Sequence, residues 1–411
     1  MLRCFKILQY LNYYFLLFIK AIFVVFIKIK KGYTIIKING KVIVMGDFHF
    51  GTKRFSIETL KDQLELFNNQ IFPYMEANNI KNIIQLGDLF DNRTTADINF
   101  MHELRVNFFD ILVKKGFHLY VLTGNHDIFY RESREVSLIN FYHSLYKNNF
   151  TLFNERTYIN INSNKTYIVP WIVKGEDLTF SEIEDCHSVL GHFEIRHFAM
   201  VKGHMNEDAK LTSEFFTKSS NVKNVFSGHY HLKDTKGLVK YLGTPWQLNW
   251  SDYDTEKGFY IWDELDTLKF ISNTSSKKYI KVKYDDSKNT DKNIEVSGLF
   301  SSSVKYTDKE FAELLPELGK HEIKFFVNEA KDRHFDEVLY MMKEANVQSS
   351  VVNNQELSQI VGTDYIKDNE DAEQDKDTRT LIIDTVKENK EELLPKLLGL
   401  FQDIDTMIKE V

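Results

Sequence analysis

Short runs of apolar, mostly β-branched residues recur along the middle of the chain, and each run ends at or just before a glycine. A polar residue that could bind a metal follows the glycine every time. Apolar runs of this length that stop at glycine predict buried strands. Five such strands are predicted, at residues 42–45, 83–86, 119–122, 189–190 and 225–227.

The segments between the first three runs have a different hydrophobic period. Residues 57–78 and 97–115 carry apolar side chains at helical spacing, such as Leu60, Leu64, Phe67 and Ile71. Strands that alternate with helices predict an α/β fold built in layers. We therefore predict a layered β-sandwich flanked by helices over residues 39–273, with its functional groups at the carboxyl ends of the strands.

The pattern changes after Asp263, where glycines followed by polar ligands no longer occur. Strands at 279–282 and 323–327 and a helix at 335–345 predict a smaller α+β capping domain over residues 276–365. An acidic stretch, 364–377, is typical of a solvated linker. Residues 378–411 predict a helical tail that either packs on its own domain or binds a partner. Its apolar face comprises Leu393, Leu394, Leu397, Leu398, Phe401, Ile404 and Ile408.

The beginning of the chain differs from the rest in composition. Residues 1–38 contain basic residues and no acidic one, and residues 7–27 are almost wholly apolar. A stretch of about 20 apolar residues can span a bilayer. Three interpretations stay open: an extension without structural role that reflects a misassigned start, a membrane anchor formed by residues 7–27, or a helix packed on the protein.

Charge and cysteine content narrow the class of protein. The formal net charge of −7 argues against a protein that coats nucleic acid through bulk positive charge. Cys4 and Cys186 are the two cysteines, which excludes a disulfide framework and fits a reducing compartment. We therefore expect a cytoplasmic protein of a bacterial or virus-infected cell, with membrane anchoring left open.

The polar residues that follow the strands suit metal binding. They supply carboxylate, amide and imidazole groups, which favour Mn, Fe or Zn over a metal that prefers thiolates. Each residue alone has an ordinary structural explanation as a turn or cap residue. The ordered set instead predicts two adjacent divalent ions that clamp a phosphate. The candidate ligands are Asp47, His49, Asp88, Asn125, His192, His229 and His231.

Five motifs occur in a fixed order: Asp47-x-His49, Gly87-Asp88-x-x-Asp91, Gly124-Asn125-His126-Asp127, Gly191-His192 and Gly228-His229-x-His231. This order resembles the calcineurin-like metallophosphoesterase superfamily. Two further features resemble one branch, the SbcD-type DNA repair nucleases and their phage recombination-endonuclease counterparts. They are residues 47–51 leading into 87–91, and Leu242–Leu248 followed by Lys257–Tyr260.

This resemblance implies specific roles for the site residues. It implies one metal ion held by Asp47, His49, Asp88 and His231, a second held by Asp88, Asn125, His192 and His229, and Mn²⁺ as the expected ion. His126 would act on the scissile phosphate and protonate the leaving oxygen, and Asp127 would orient His126. Asp91 stands where some family members have a histidine that positions DNA, which puts substrate contact from this position in doubt.

The resemblance also implies DNA as substrate and a protein partner. We expect the nuclease subunit of an SbcC–SbcD-like complex, with duplex exonuclease and single-strand endonuclease activity. A coiled-coil ATPase would bind residues 378–411, and the nuclease would form a homodimer within the complex. The alternative is a stand-alone metallophosphoesterase that acts on nucleotides or phosphoproteins. The candidate phosphate contacts are Arg54, Arg93, Arg131 and Arg134, with Lys53 beside them.

Overall fold

The structure is a computed structural model that describes residues 36–353, apart from residues 131, 202–203, 285–293, 301, 328–332 and 348. Two large sheets form its main body. Sheet 1 has six strands, and four adjacent ones, from Val42–Met45 to Phe150–Phe153, run parallel. Their order is Leu268–Ser272, Gly258–Trp262, Val42–Met45, Asn82–Gln85, His118–Leu122 and Phe150–Phe153.

Sheet 2 has seven strands with a parallel centre. Its middle strand, Ser188–His192, pairs in parallel with Asn164–Val169 on one side and with Asn224–Gly228 on the other. The strand order is Lys37–Ile38, Thr157–Ile161, Asn164–Val169, Ser188–His192, Asn224–Gly228, Val239–Tyr241 and Asp234–Lys236. Two small hairpins add the pairs Ile128–Tyr130 with Ser133–Ser137 and Ala199–Val201 with His204–Met205.

Side chains along a strand point alternately to the two faces of the sheet, and this alternation explains how the layers pack. Val42 and Val44 point to one face of sheet 1, where they pack with Leu190 and Phe226 of sheet 2. Ile43 lies on the opposite face, against the helices. Because both faces are covered, the central strand Val42–Met45 is apolar at every position. The predicted α/β sandwich flanked by helices is confirmed.

Two long helical segments cover the outer face of sheet 1, and each contains a π-helical turn. The first comprises Ile57–Leu66, the π segment Phe67–Ile71 and Phe72–Ala77. The second comprises Ile98–Leu104, the π segment Arg105–Phe109 and Asp110–Lys115. The π segments place Phe67 and Phe108 against Phe48, with ring centroids 5.5 and 6.5 Å away. They thus support the loop that follows the first strand.

The remaining helices are short or belong to the second half of the chain. A helical turn at Thr52–Phe55 contains left-handed residues at Lys53 and Arg54. The others are Leu138–Leu145, Phe180–Ile183, Ser213–Thr217, the 3₁₀ turn Trp250–Asp252, Asp308–Leu318 and Arg333–Glu344.

Sheet 3 lies in the region predicted to form a capping domain. It has its own apolar core, in which Phe311 and Phe335 from two helices pack on Ile280 and Phe325 of the sheet. Its strands are, in order, Val304–Tyr306, Ile294–Ser297, Tyr279–Tyr284, Glu322–Val327 and Ser349–Asn353. Residues 354–365 and the predicted tail at 378–411 lie outside the described residues, so the domain boundaries stay predictions.

The boundary drawn near the start of the chain needs a correction. Lys37–Ile38 pairs with Asn160 and Ile161 at the edge of sheet 2, and Ile38 is buried there. These two residues therefore belong to the sandwich and not to the predicted extension 1–38. The apolar stretch 7–27 lies outside the described residues. Among the helices that the structure does describe, none is long and apolar enough to cross a membrane.

Candidate metal centre

All seven candidate ligands converge at one end of the sandwich, where the carboxyl ends of parallel strands from both sheets meet. In sheet 1, the ligands lie on the loops that follow the strands Val42–Met45, Asn82–Gln85 and His118–Leu122. In sheet 2, they lie at the ends of Ser188–His192 and Asn224–Gly228. This follows from the shared direction of the strands. From sheet 1 come Asp47, His49, Asp88 and Asn125; from sheet 2 come His192, His229 and His231.

One group of possible ligands consists of Asp47, His49 and His231, whose donor atoms lie within 4.8 Å of one another. Nε2 of His49 is 3.1 Å from Nε2 of His231. The Asp47 carboxylate also accepts a hydrogen bond from the backbone N–H of His229 at 2.9 Å. The first group is therefore tied directly to the loop that carries the second.

The second group consists of Asp88, His192 and His229, again within 4.8 Å of one another. Asn125 joins it, since its Oδ1 lies 2.9 Å from both His192 Nε2 and His229 Nδ1. Oδ2 of Asp88 is 3.2 Å from His192 Nε2 and 3.9 Å from His49 Nε2. Asp88 thus faces both groups, as a ligand shared by two ions must.

Hydrogen bonds outside the centre fix the direction of the histidine rings. His192 Nδ1–H donates to the Leu86 carbonyl at 2.8 Å. His49 Nδ1–H donates to the Asp91 carboxylate at 3.1 Å. Each bond leaves Nε2, with its lone pair, facing the centre. Such outer contacts are the usual way in which proteins select the metal-binding nitrogen of a histidine.

The charges of the centre are those of a cation site. Burial lowers the pKa of His49, but the hydrogen bond to Asp91 and the charge of Asp88 outweigh it and raise the pKa to about 10. Burial also lowers the pKa of His192, but the charges of Asp88 and Asp47 outweigh it and raise the pKa to about 9. Burial lowers the pKa of His229 to about 3, which keeps that imidazole neutral. The buried carboxylates therefore stabilise positive charge at this position, and divalent cations bound there would supply that charge.

Three of the candidate ligands adopt a left-handed backbone. The φ angles are 49° at His49, 55° at Asp88 and 87° at His229. Left-handed conformations of non-glycine residues cost about 1–3 kcal/mol and persist where the surroundings enforce them. Gly87 precedes Asp88 with φ of 100°, and a Cβ there would lie 2.3 Å from His192 Nδ1. The strained loops and this glycine bring the two sheets' ligands within reach of each other.

His126 lies beside the first group of ligands and is 9% exposed. Its ring packs edge-on against His49 with centroids 4.9 Å apart. Nδ1–H donates to the Asp91 carbonyl at 2.9 Å, so Nε2 is the nitrogen left for a substrate. Asp91 holds His49 through its carboxylate and His126 through its carbonyl. Asp91 was not among the predicted site residues, and these two contacts give it a role in positioning both rings.

Asp127, which was expected to orient His126, contacts the backbone of its own loop and of a neighbouring loop. The Asp127 carboxylate accepts hydrogen bonds from the backbone N–H groups of Gly124, Leu89 and Phe90. These bonds tie together the loops that carry Asp88 and Asn125. Asp127 therefore positions His126 through the backbone, while the Asp91 carbonyl orients the ring.

The arginines predicted to contact phosphate differ in their exposure to solvent. Arg134 is buried, and its guanidinium binds Glu176 in a two-pronged ion pair with N···O distances of 2.6 and 2.9 Å. It is a structural residue, which corrects its assignment to DNA. Arg54 is exposed on the turn after His49, and Arg93 is partly exposed near Asp91. Arg131 lies outside the described residues.

A buried lysine behind the centre was not predicted as part of it. Nζ of Lys257 donates to the His231 carbonyl at 2.8 Å, to Thr244 Oγ1 at 2.8 Å and to Asp252 Oδ1 at 2.6 Å. All three ammonium protons are thereby used, and Lys257 and Asp252 are both buried. The signal in the sequence was a lysine directly before an apolar strand. Spacing alone could not reveal that its amine reaches a metal ligand.

Comparisons with known proteins agree with this geometry. The family model described as calcineurin-like phosphoesterase matches residues 40–233, which include all seven candidate ligands. The chain is also 27% identical over 250 residues to Exonuclease subunit 1 of Enterobacteria phage T4, across 57% of this chain and 68% of that protein. The match extends the similarity beyond the motifs themselves.

Proposed function

We propose that this protein, whose residues 40–233 match the family model of calcineurin-like phosphoesterases, is the metal-dependent nuclease subunit of an SbcC–SbcD-like complex and hydrolyses phosphodiester bonds in DNA. One observation carries the proposal. Seven carboxylate, amide and imidazole ligands meet at the junction of two sheets, with a further imidazole, His126, beside them. This set suits a phosphate held between two cations and an acid.

The residues fit two divalent ions, with Mn²⁺ as the proposed metal. Oxygen and imidazole donors suit this class of metal. Asp47, His49, Asp88 and His231 would hold one ion, and Asp88, Asn125, His192 and His229 the other. Bound there, the ions supply Lewis-acid chemistry, which activates a water nucleophile and neutralises charge on the phosphate.

His126 supplies the acid of the proposed reaction. Because its Nδ1–H is held by the Asp91 carbonyl, the ring cannot turn freely, and Nε2 is presented to the substrate. In the protonated form Nε2–H stabilises negative charge on the phosphate and then gives its proton to the leaving oxygen. The His49 ring, packed edge-on against His126, restricts it further.

Two features favour DNA over a small phosphoester. The relative in phage T4 is by its name an exonuclease subunit, and the similarity covers 68% of it. The turn Thr52–Phe55 also places Lys53 and Arg54 on the surface directly after the ligand His49, where they could contact phosphates that flank the scissile bond. A net charge of −7 makes local contacts of this kind necessary.

A coiled-coil ATPase is the proposed partner, and residues 378–411 are its proposed binding segment. The word subunit in the relative's name supports a partner. The apolar face of the tail supports a helix that binds another surface. Deletion of residues 378–411 should abolish co-purification with the ATPase and spare basal nuclease activity. Undiminished co-purification of the truncated protein would overturn the assignment of the tail.

The nuclease activity is tested with Mn²⁺ and four substrates: linear duplex DNA, circular single-stranded DNA, a nitrophenyl phosphodiester and a nitrophenyl phosphomonoester. Both DNAs and the diester should be cleaved. His126→Gln should lower the cleavage rate at least about 100-fold, since a positioned acid contributes that much, and should leave metal content unchanged. Exposed His197 offers a control, and His197→Gln should retain full activity.

Two outcomes would contradict the proposal in different ways. Hydrolysis of the monoester or of nucleotides with intact DNA would favour the stand-alone metallophosphoesterase. Full activity of His126→Gln would leave the nuclease function in place but remove His126 from its mechanism.

A further inference from the structure

A partly exposed tryptophan, Trp171, lies at the edge of the metal centre and is neither a candidate metal ligand nor the proposed acid. Trp171 follows the strand Asn164–Val169, which runs parallel to and beside Ser188–His192. Its ring therefore emerges at the same sheet edge as the ligands of sheet 2. The ring centroid lies 5.0 Å from that of His229 and 5.9 Å from that of His192.

The backbone around Trp171 is fixed on both sides. Its N–H donates to the Thr123 carbonyl at 2.7 Å, and its carbonyl accepts from Arg134 Nη1 at 2.6 Å. Arg134 is itself held by Glu176. The indole is thus attached to a rigid frame, and a rigid aromatic face loses little entropy when it stacks on a ligand.

A groove of about 540 Å³ opens beside this ring and reaches the metal centre. This volume lies in the range of small-molecule sites, which is roughly 300–1,000 Å³. The lining combines apolar surface with side chains that form hydrogen bonds, among them Trp171, Leu178, His192, Glu194, Lys210 and Phe215.

The lining favours a base over a phosphate, because its carboxylates outnumber its ammonium groups: Glu176, Asp177, Glu194 and Asp208 against Lys174 and Lys210. The carboxylates of Glu194 and Asp208 repel phosphate oxygens but can accept hydrogen bonds from the amino groups of bases. Aromatic side chains bind bases of any sequence, because each base has a flat π surface. Leu178 and Phe215 add apolar contact of the kind that excludes water from a stacked base.

We propose that Trp171 is the stacking platform for a nucleobase next to the scissile phosphate, and that the groove beside it holds this base outside the helical stack. The inference rests on the proposed nuclease function. A phosphate clamped at the metal centre has its neighbouring nucleotide within reach of the indole. Because a base must leave its stack to enter the groove, the subsite favours single strands and ends that open easily.

The test uses short single-stranded oligonucleotides in which a tetrahydrofuran abasic analogue replaces one nucleotide at a time around the cleaved bond. In the wild-type protein with Mn²⁺, KM should rise about tenfold when the analogue occupies the nucleotide that faces Trp171, as expected for one lost base stack. Trp171→Ala should raise KM for the normal strand by the same factor and abolish the discrimination. The value of kcat should change little in both cases.

Control variants separate stacking from folding. Trp171→Phe should recover much of the discrimination, and Tyr340→Ala, an exposed aromatic on the helix Arg333–Glu344, should leave it intact. If Trp171→Ala fails to fold, binding of 2-aminopurine strands to His126→Gln and to His126→Gln/Trp171→Phe decides the question. Fluorescence of the 2-aminopurine base should be quenched at the same strand position in both variants. The quenching should be weaker in His126→Gln/Trp171→Phe than in His126→Gln.

The outcomes distinguish the subsite from the function. Equal discrimination in the wild type and in Trp171→Ala, or no position at which an abasic nucleotide raises KM, would overturn the subsite while the nuclease remains. Equal quenching at all positions would overturn it as well. Absence of DNA cleavage by the wild-type protein would overturn the nuclease function itself.

Discussion

Individual atoms decide how closely the ligands of the centre approach each other. At Gly87, a missing Cβ lets His192 Nδ1 and the Gly124 Cα occupy the space in front of the backbone. The positive φ of 100° excludes other residues for a second reason. The glycine therefore acts on two ligands at once, Asp88 beside it and His192 across from it.

Gly87→Ala should damage both the fold and the second metal site. The new methyl group would collide with the His192 ring, and the backbone conformation alone would cost about 1–3 kcal/mol. We expect a lower melting temperature and loss of about one metal ion per chain, measured by calorimetry and by metal analysis. Gly116→Ala is the matched control, because Gly116 has φ of 66° and nothing within 4 Å of the added methyl.

The control should lose stability through its backbone but bind metal fully. Equal metal content in both alanine variants would show that the close approach at Gly87 has no bearing on the site.

At the residue scale, the sequence predicted the ligands better than their supports. Asp47, Asp88 and His192 follow apolar strands, and strand direction alone brings such residues to one edge. The partners of Asp127 and Arg134 could not be predicted in this way. Their hydrogen bonds depend on which loops pack against them, and loop packing leaves no periodic signal in a sequence.

At the scale of elements, the segment between His231 and the strand Gly258–Trp262 connects the centre to sheet 3. Lys257 binds the carbonyl of the ligand His231 at one end of this connection. Asp252, its ion-pair partner, accepts from the backbone N–H of Leu248 at 2.9 Å. The Leu248 carbonyl in turn accepts from the Tyr279 hydroxyl at 2.8 Å. A continuous set of hydrogen bonds thus links a candidate metal ligand to the strand Tyr279–Tyr284 of sheet 3.

Lys257→Met should destabilise the protein by about 3–5 kcal/mol, because it leaves the Asp252 carboxylate buried without its partner. It should also weaken metal binding, since the His231 loop loses one of its supports. Unfolding in urea and titration with Mn²⁺ measure the two effects. The double variant Lys257→Met/Asp252→Asn removes the unpaired charge and should regain much of the stability but not the metal affinity.

Lys233→Met serves as the control for a lysine at the surface. Lys233 pairs with Glu256 in an exposed ion pair, which contributes less than about 1 kcal/mol. If Lys257→Met destabilised the protein no more than Lys233→Met does, the buried ion pair between Lys257 and Asp252 would not contribute to stability as predicted.

The elements show where hydrophobic pattern suffices and where it fails. Helical periodicity predicted the segments 57–78 and 97–115 nearly to their ends, because one face of each is fully buried. It did not predict the π turns at Phe67–Ile71 and Arg105–Phe109. An extra residue within a helix turn shifts the apolar face only slightly, and the shift became visible in the contacts of Phe67 and Phe108 with Phe48.

At the scale of the whole molecule, the metal centre joins the two sheets of the sandwich. Asp47, His49, Asp88 and Asn125 belong to sheet 1, and the three remaining ligands belong to sheet 2. Ions bound to both sets would hold the sheets together at this end. The native state would then bind metal much more tightly than the unfolded chain, in which the ligands are far apart.

Removal of metal should therefore lower the melting temperature of the entire sandwich. At a free ion concentration about 100 times Kd, binding stabilises the fold by about 2.7 kcal/mol, which corresponds to roughly 3 °C in a chain of 411 residues. Thermal unfolding with Mn²⁺ and with a chelator measures the difference. His118→Ala, outside the centre, should keep the difference, and His192→Ala should reduce it.

A melting temperature that is the same with Mn²⁺ and with chelator would contradict the joining of the sheets by metal.

The position of Val42–Met45 in sheet 1 has a consequence for synthesis on the ribosome. This strand carries the first ligand loop, and one of its two neighbours, Gly258–Trp262, emerges only after every ligand has been made. A nascent or prematurely terminated chain that lacks residue 262 has the strand exposed at an unpaired edge. Such fragments should be unable to assemble the centre. Under the proposed nuclease function, unfinished copies would then be harmless to the genome that encodes them.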